Sequence, residues 1–145
     1  MATITYTVTV ATGTNQYSAN ANKFYINGEV SPVLELQEGN TYIFDQSDST
    51  NAGGGGHPLR FSATANGTWG TAPGGGAGVV YTTGVTTSGT PGNAGAYTQI
   101  VVAPVQTVGA PVLFYYCSNH SGMGNTALTT PPTSGETFFN PSMDE

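Results

Sequence analysis

Basic side chains are almost absent from this sequence: Lys23 and Arg60 are the only two in 145 residues, and the net charge is −6. Nucleic-acid binding relies on cationic side chains that displace counterions from phosphates, so that class of partner is excluded. The same charge balance argues against an anionic membrane surface. Charge of either sign is scarce, at 7% of residues, against about a quarter in an ordinary globular chain. Cysteine occurs once, as Cys117, so no intrachain disulfide can form and the redox compartment stays open. No apolar run approaches the roughly 20 residues of a membrane-spanning helix. The opening Met1-Ala2-Thr3-Ile4-Thr5-Tyr6 has neither a basic n-region nor an apolar h-region, so export is not expected. Helical periodicity is missing throughout.

With so little charge, the surface must be covered mainly by Thr, Ser, Asn, Gln and Gly. Thr and the eight Tyr favour strands, while 21 Gly and nine Pro favour turns and bulges. The class is therefore all-β, and a chain of this length can bury one core without disulfides. Residues 3–10 alternate strictly, with Thr3, Thr5, Thr7 and Thr9 on one face and Ile4, Tyr6, Val8 and Val10 on the other, the mark of a half-buried strand. Gly13 to Asn22 reads as a loop, and Lys23 to Ile26 runs into the tight-turn pair Asn27-Gly28. Further strands are expected at Val33 to Leu36, Thr41 to Asp45, Leu59 to Ser62, Val79 to Tyr81, Val85 to Thr87, Tyr97 to Ala103, Val112 to Tyr116 and Thr126 to Thr129. The Gly-rich stretch Ser47 to Gly56 reads as a loop ending at His57. No boundary or repeat divides the chain, so the domain is placed at residues 1–130. Residues 131–145, with Phe138-Phe139 among three of the eight acids, are read as an extended C-terminal arm.

The segment richest in chemistry is Tyr115-Tyr116-Cys117-Ser118-Asn119-His120-Ser121-Gly122-Met123. It spaces a thiol, an imidazole and a thioether three residues apart directly after a strand, and a loop of that length can turn all three toward one point. A thiolate, two imidazoles and a weak axial thioether are the donor set of blue copper. The second imidazole must then be His57, the only other histidine. Zinc suits the set less well, because Met is a poor zinc ligand. A Cys–His hydrolase lacks a third orienting group and an oxyanion loop, so no enzyme is expected. Trp69 reads as a packing anchor in a long loop rather than a sugar-stacking platform.

This chain resembles a cupredoxin, and its Cys-x-x-His-x-x-Met loop has the short spacing of amicyanin-like members. Leu34 to Asp45 is similar to the strand, glycine turn and strand that precede the family's first ligand histidine. The resemblance covers residues 33–62 and 97–129, and implies a Greek-key β-sandwich with copper held by His57, Cys117, His120 and the axial Met123. Two residues depart from the pattern. Pro58 stands where the family often has a group that bonds toward the cysteine loop, and Asn119 where many members have proline. Both weaken the surroundings that set ligand geometry.

Two functions follow. A small soluble copper protein for electron transfer accounts for the ligand set. A structural protein of a bacteriophage particle accounts in addition for the long Gly/Thr/Ser loops, the scarcity of charge and the lack of an export signal. Tyr25-Ile26-Asn27-Gly28-Glu29-Val30-Ser31-Pro32 and Gly56-His57-Pro58-Leu59-Arg60-Phe61-Ser62 resemble cupredoxin-like modules in virion proteins of marine bacteriophages. The second function is the favoured expectation. It implies assembly in the host cytoplasm, residence in the virion, and partners among other virion proteins or further copies of this chain, contacted through the arm at residues 131–145.

Overall fold

The computed structural model describes residues 1–103 and 112–131. Two mixed sheets pack face to face into an all-β sandwich. The first has the order β3-β2-β1-β5-β9-β8, formed by β1 (Thr3–Gly13), β2 (Ala21–Ile26), β3 (Glu29–Val30), β5 (Thr41–Asp45), β8 (Val85–Ser88) and β9 (Tyr97–Val101). The second has the order β4-β11-β10-β6-β7, formed by β4 (Leu34–Gln37), β6 (Leu59–Ser62), β7 (Val80–Tyr81), β10 (Val112–Cys117) and β11 (Asn125–Thr130). The parallel pairs are β1 with β5 and β4 with β11, and the remaining pairs are antiparallel. Among the described residues no helix is long and apolar enough to cross a membrane.

The alternation in β1 does what its period implies, since Val8 and Val10 are buried while Thr3, Thr5 and Thr7 face solvent. The strand nonetheless runs on to Gly13, past the alternating segment. Its first half pairs with β5, and its second half, from Val8 to Gly13, pairs with β2 from Ile26 back to Ala21. A ladder needs backbone partners rather than alternation, so β2 begins inside the segment that reads as loop. Asn27 and Gly28 have φ of 50° and 86°, the two positive values a type I′ turn requires, and they close the β2–β3 hairpin.

The core fills the space between the sheets. Val8, Phe24, Ile26, Phe44 and Ile100 from the first meet Leu36, Leu59, Phe61, Leu113 and Tyr115 from the second. The rings of Phe44 and Phe61 touch edge-on across the interface, 5.4 Å between centroids. The Gly-rich stretch is not a plain loop. Residues Ser49–Gly55 form a kinked 3₁₀ segment, η1, whose start is capped by Asp48 accepting from the Thr50 N–H at 2.9 Å. A second such turn, η2, spans Gly67–Trp69. The arm expected at residues 131–145 lies outside the described residues apart from Pro131.

Candidate metal centre

His57 follows η1 and precedes β6, so its backbone must be held where no ladder holds it. Gln46 does this from the end of β5. Its Nε2 donates to the His57 carbonyl at 2.6 Å and to Asn51 Oδ1 at 2.9 Å, while its Oε1 accepts from the Leu59 N–H at 2.9 Å. Asn51 in turn accepts from the His57 N–H at 2.8 Å through its carbonyl and donates to the Val8 carbonyl at 2.8 Å. All of these groups are buried. Gln46→Ala strands at least two buried backbone groups, each worth about 1–3 kcal/mol. It should lower unfolding stability by about 2–4 kcal/mol, read from the denaturant midpoint. A loss within experimental error would remove Gln46 from this role.

Cys117 ends β10, opposite Leu59 of β6 in the antiparallel register, so it points into the core as Leu59 does. The loop that follows is pinned from several sides. The Ser118 N–H donates to the Pro58 carbonyl at 3.1 Å, and Asn119 Nδ2 donates to the Gly56 carbonyl at 3.1 Å. Pro58 and Asn119, the two departures from the family pattern, thus tie the histidine segment to the cysteine loop by a backbone carbonyl and a side-chain amide. The Gly122 carbonyl accepts from Asn15 Nδ2 and Lys23 Nζ, both at 2.9 Å. The Met123 carbonyl accepts from the Phe24 N–H and Ser31 Oγ, both at 3.0 Å. Asn66 Oδ1 accepts from the Gly122 N–H at 2.9 Å, and Trp69 Nε1 donates to the Cys117 carbonyl at 2.9 Å. Trp69 is 46% exposed, so it braces the ligand loop from outside rather than filling the core.

These constraints bring His57, Cys117 and His120 together. Their donor atoms all lie within 4.8 Å of one another. Cys117 Sγ is 3.7 Å from His57 Nδ1 and 3.6 Å from His120 Nδ1. A thiolate sits ~2.3 Å and an imidazole nitrogen ~2.0–2.1 Å from a bound zinc ion, which at trigonal or tetrahedral angles separates sulfur from nitrogen by roughly 3.5–3.8 Å. The observed spacings match that range, so a metal ion of this size fits between the three donors. Met123 is buried beside them. The two imidazole centroids are 4.5 Å apart. His57 Nε2 is buried with no hydrogen-bond partner among the described residues. The ring is therefore oriented with Nδ1 toward the sulfur and not by hydrogen bonding at its far edge, an arrangement that suits a ligand better than a structural histidine. Gly54, at φ of 58°, crosses the outer edge of the pair: a Cβ there would lie 3.3 Å from His120 Nε2.

The electrostatics suit a metal that competes with protons. Burial, and then the neighbouring His120, push the His57 pKa below its ordinary value, which keeps the imidazole neutral and able to donate a lone pair. Burial pushes the Cys117 thiol up. The N–H groups of Asn119 and His120 beside the sulfur and the charge of Arg60 oppose that rise. Cys117 is fully buried, and a thiol held protonated there is a poor nucleophile.

All four candidates drawn from the sequence lie close together. Gln46, Asn51, Asn15, Lys23, Ser31 and Asn66 had no local signal, because each acts through a partner distant in the chain. The molecule is an all-β sandwich carrying a buried Cys–His–His–Met cluster able to hold a metal ion. No family model, curated protein or solved structure matches the chain.

Proposed function

We propose that this chain is a cupredoxin-like module of a bacteriophage particle, with copper held by His57, Cys117, His120 and Met123. The observation that carries the copper reading is the placement of both Nδ1 atoms 3.6–3.7 Å from Cys117 Sγ. The thiolate and thioether are soft donors, and together with two imidazoles they favour copper over zinc. Copper in such a site supplies a one-electron couple and an intense thiolate charge-transfer absorption. The protein's own residues orient the donors, exclude water from Cys117 and keep the His57 imidazole neutral. The burial of Cys117 supports a role without catalysis. Composition and the phrases around Asn27 and His57 support the particle reading. Partial exposure of His120 favours a second reading, an electron-transfer protein with a ligand imidazole near the surface.

One experiment addresses both readings. Cu(II) is titrated into metal-free full-length protein and into a chain ending at residue 130, with visible absorption and sedimentation followed together. Both chains should develop the strong band at one equivalent, and only the full-length chain should self-associate. No band with Cys117 confirmed reduced removes the copper reading. A blue full-length monomer removes self-assembly through the arm and favours the electron-transfer protein.

A further inference from the structure

The chain's two basic side chains are both tied to segments that carry the metal cluster. Lys23 is fully buried on β2, where its Nζ donates to the Gly122 carbonyl at 2.9 Å and to Ser18 Oγ at 2.5 Å. Gly122 immediately precedes Met123. Arg60 lies opposite Tyr116 in the β6–β10 register, and Tyr116 immediately precedes Cys117. Its Nη1 donates to the Leu59 carbonyl at 2.9 Å and to Thr98 Oγ1 at 3.3 Å. The described partners of both cations are carbonyls and hydroxyls, with no carboxylate among them. Among the described residues, no acidic group is one of those that act on Cys117 or His57. A buried ammonium with no carboxylate partner carries a desolvation penalty, and a Met or Leu would fill the same space without it. The chain's only two cations are held against the strand end and the loop that carry the sulfur donors, and the charge of Arg60 acts on Cys117.

We propose that Lys23 and Arg60 make this centre selective for monovalent over divalent copper. The inference rests on the copper reading above. A thiolate with Cu(I) is neutral, whereas the same thiolate with Cu(II) carries a positive charge. Two fixed positive charges, that of Lys23 shielded from water, therefore act against the divalent state more than the monovalent one. The soft Cys and Met donors act in the same direction.

The test measures Cu(I) and Cu(II) affinities separately, each by competition with a chelator selective for that state, in wild type, Lys23→Met and Arg60→Met. Met keeps most of the side-chain volume at both positions. Each substitution should raise Cu(II) affinity more than Cu(I) affinity, lowering the Cu(I)-to-Cu(II) affinity ratio about tenfold. If Lys23 only braces the loop, both affinities fall together and the ratio is unchanged. An unchanged ratio in both variants, with wild type binding copper, overturns the charge proposal and leaves the copper reading intact. A wild-type chain that binds neither ion overturns both. Arg60 is partly exposed, so its variant decides the question if Lys23→Met does not fold.

Discussion

Cys117→Ser should abolish the visible copper band entirely while leaving the sandwich folded. A hydroxyl cannot replace the thiolate as a soft, charge-donating ligand, and the other sulfur atoms in the chain are thioethers of three Met residues. Serine is slightly smaller than cysteine, and the Asn119 and His120 N–H groups beside the sulfur can donate to its oxygen. The loss of stability in the metal-free protein should therefore stay near 1–2 kcal/mol. Absorption spectra, metal content and a melting curve on the same sample check this. A band that survives the substitution would mean that Cys117 is not the sulfur donor.

Copper should also stabilise the wild-type fold strongly. The ligands come from the segment just before β6, from the end of β10 and from the loop that follows it, and the unfolded chain offers no preformed site. At a free metal concentration near 1,000 times Kd, binding to the native state adds about 4 kcal/mol. A domain of this size gains roughly 2–4 °C in Tm per kcal/mol, so a rise of roughly 8–16 °C is expected, reversed by a chelator. His57→Ala and Cys117→Ser should each abolish it. The shift should shrink as the pH falls, because burial holds the Cys117 thiol protonated and the incoming metal must displace that proton. A rise that persists in both variants would point to copper bound elsewhere.

Much of the fold is legible from short stretches of sequence. Alternation in Thr3 to Val10 marks an edge-to-core face directly, because side chains in a strand point to opposite sides at successive residues. Asn27-Gly28 marks a hairpin, because few other residues accept two positive φ values. What eluded such reading were elements whose partner lies far off in the chain. The last residues of β1, the first of β2 and the two-residue β3 have no periodic signal of their own. They exist because β1, β2 and β3 pair in succession. The 3₁₀ character of Ser49–Gly55 is likewise hidden by its glycines, and depends on the Asp48 cap and the buried Asn51.

The metal cluster divides along the same line. Cys117, His120 and Met123 are set three residues apart after a strand, so local spacing already decides that they can share a point. His57 joins them in the sequence only because it is the sole other histidine. That its Nδ1 lies 3.7 Å from the sulfur was decided by the tertiary structure: by the pairing of Leu59 with Cys117, and by Gln46 and Asn51 holding the backbone at His57. The loop's anchorage by Asn15, Lys23 and Ser31 from the first sheet has the same origin. Composition and local period depend on near neighbours in the chain and are therefore visible in it. Contacts across about 60 to 100 residues become available only when two sheets close over one core, which has then already met the entropic cost of bringing distant groups together.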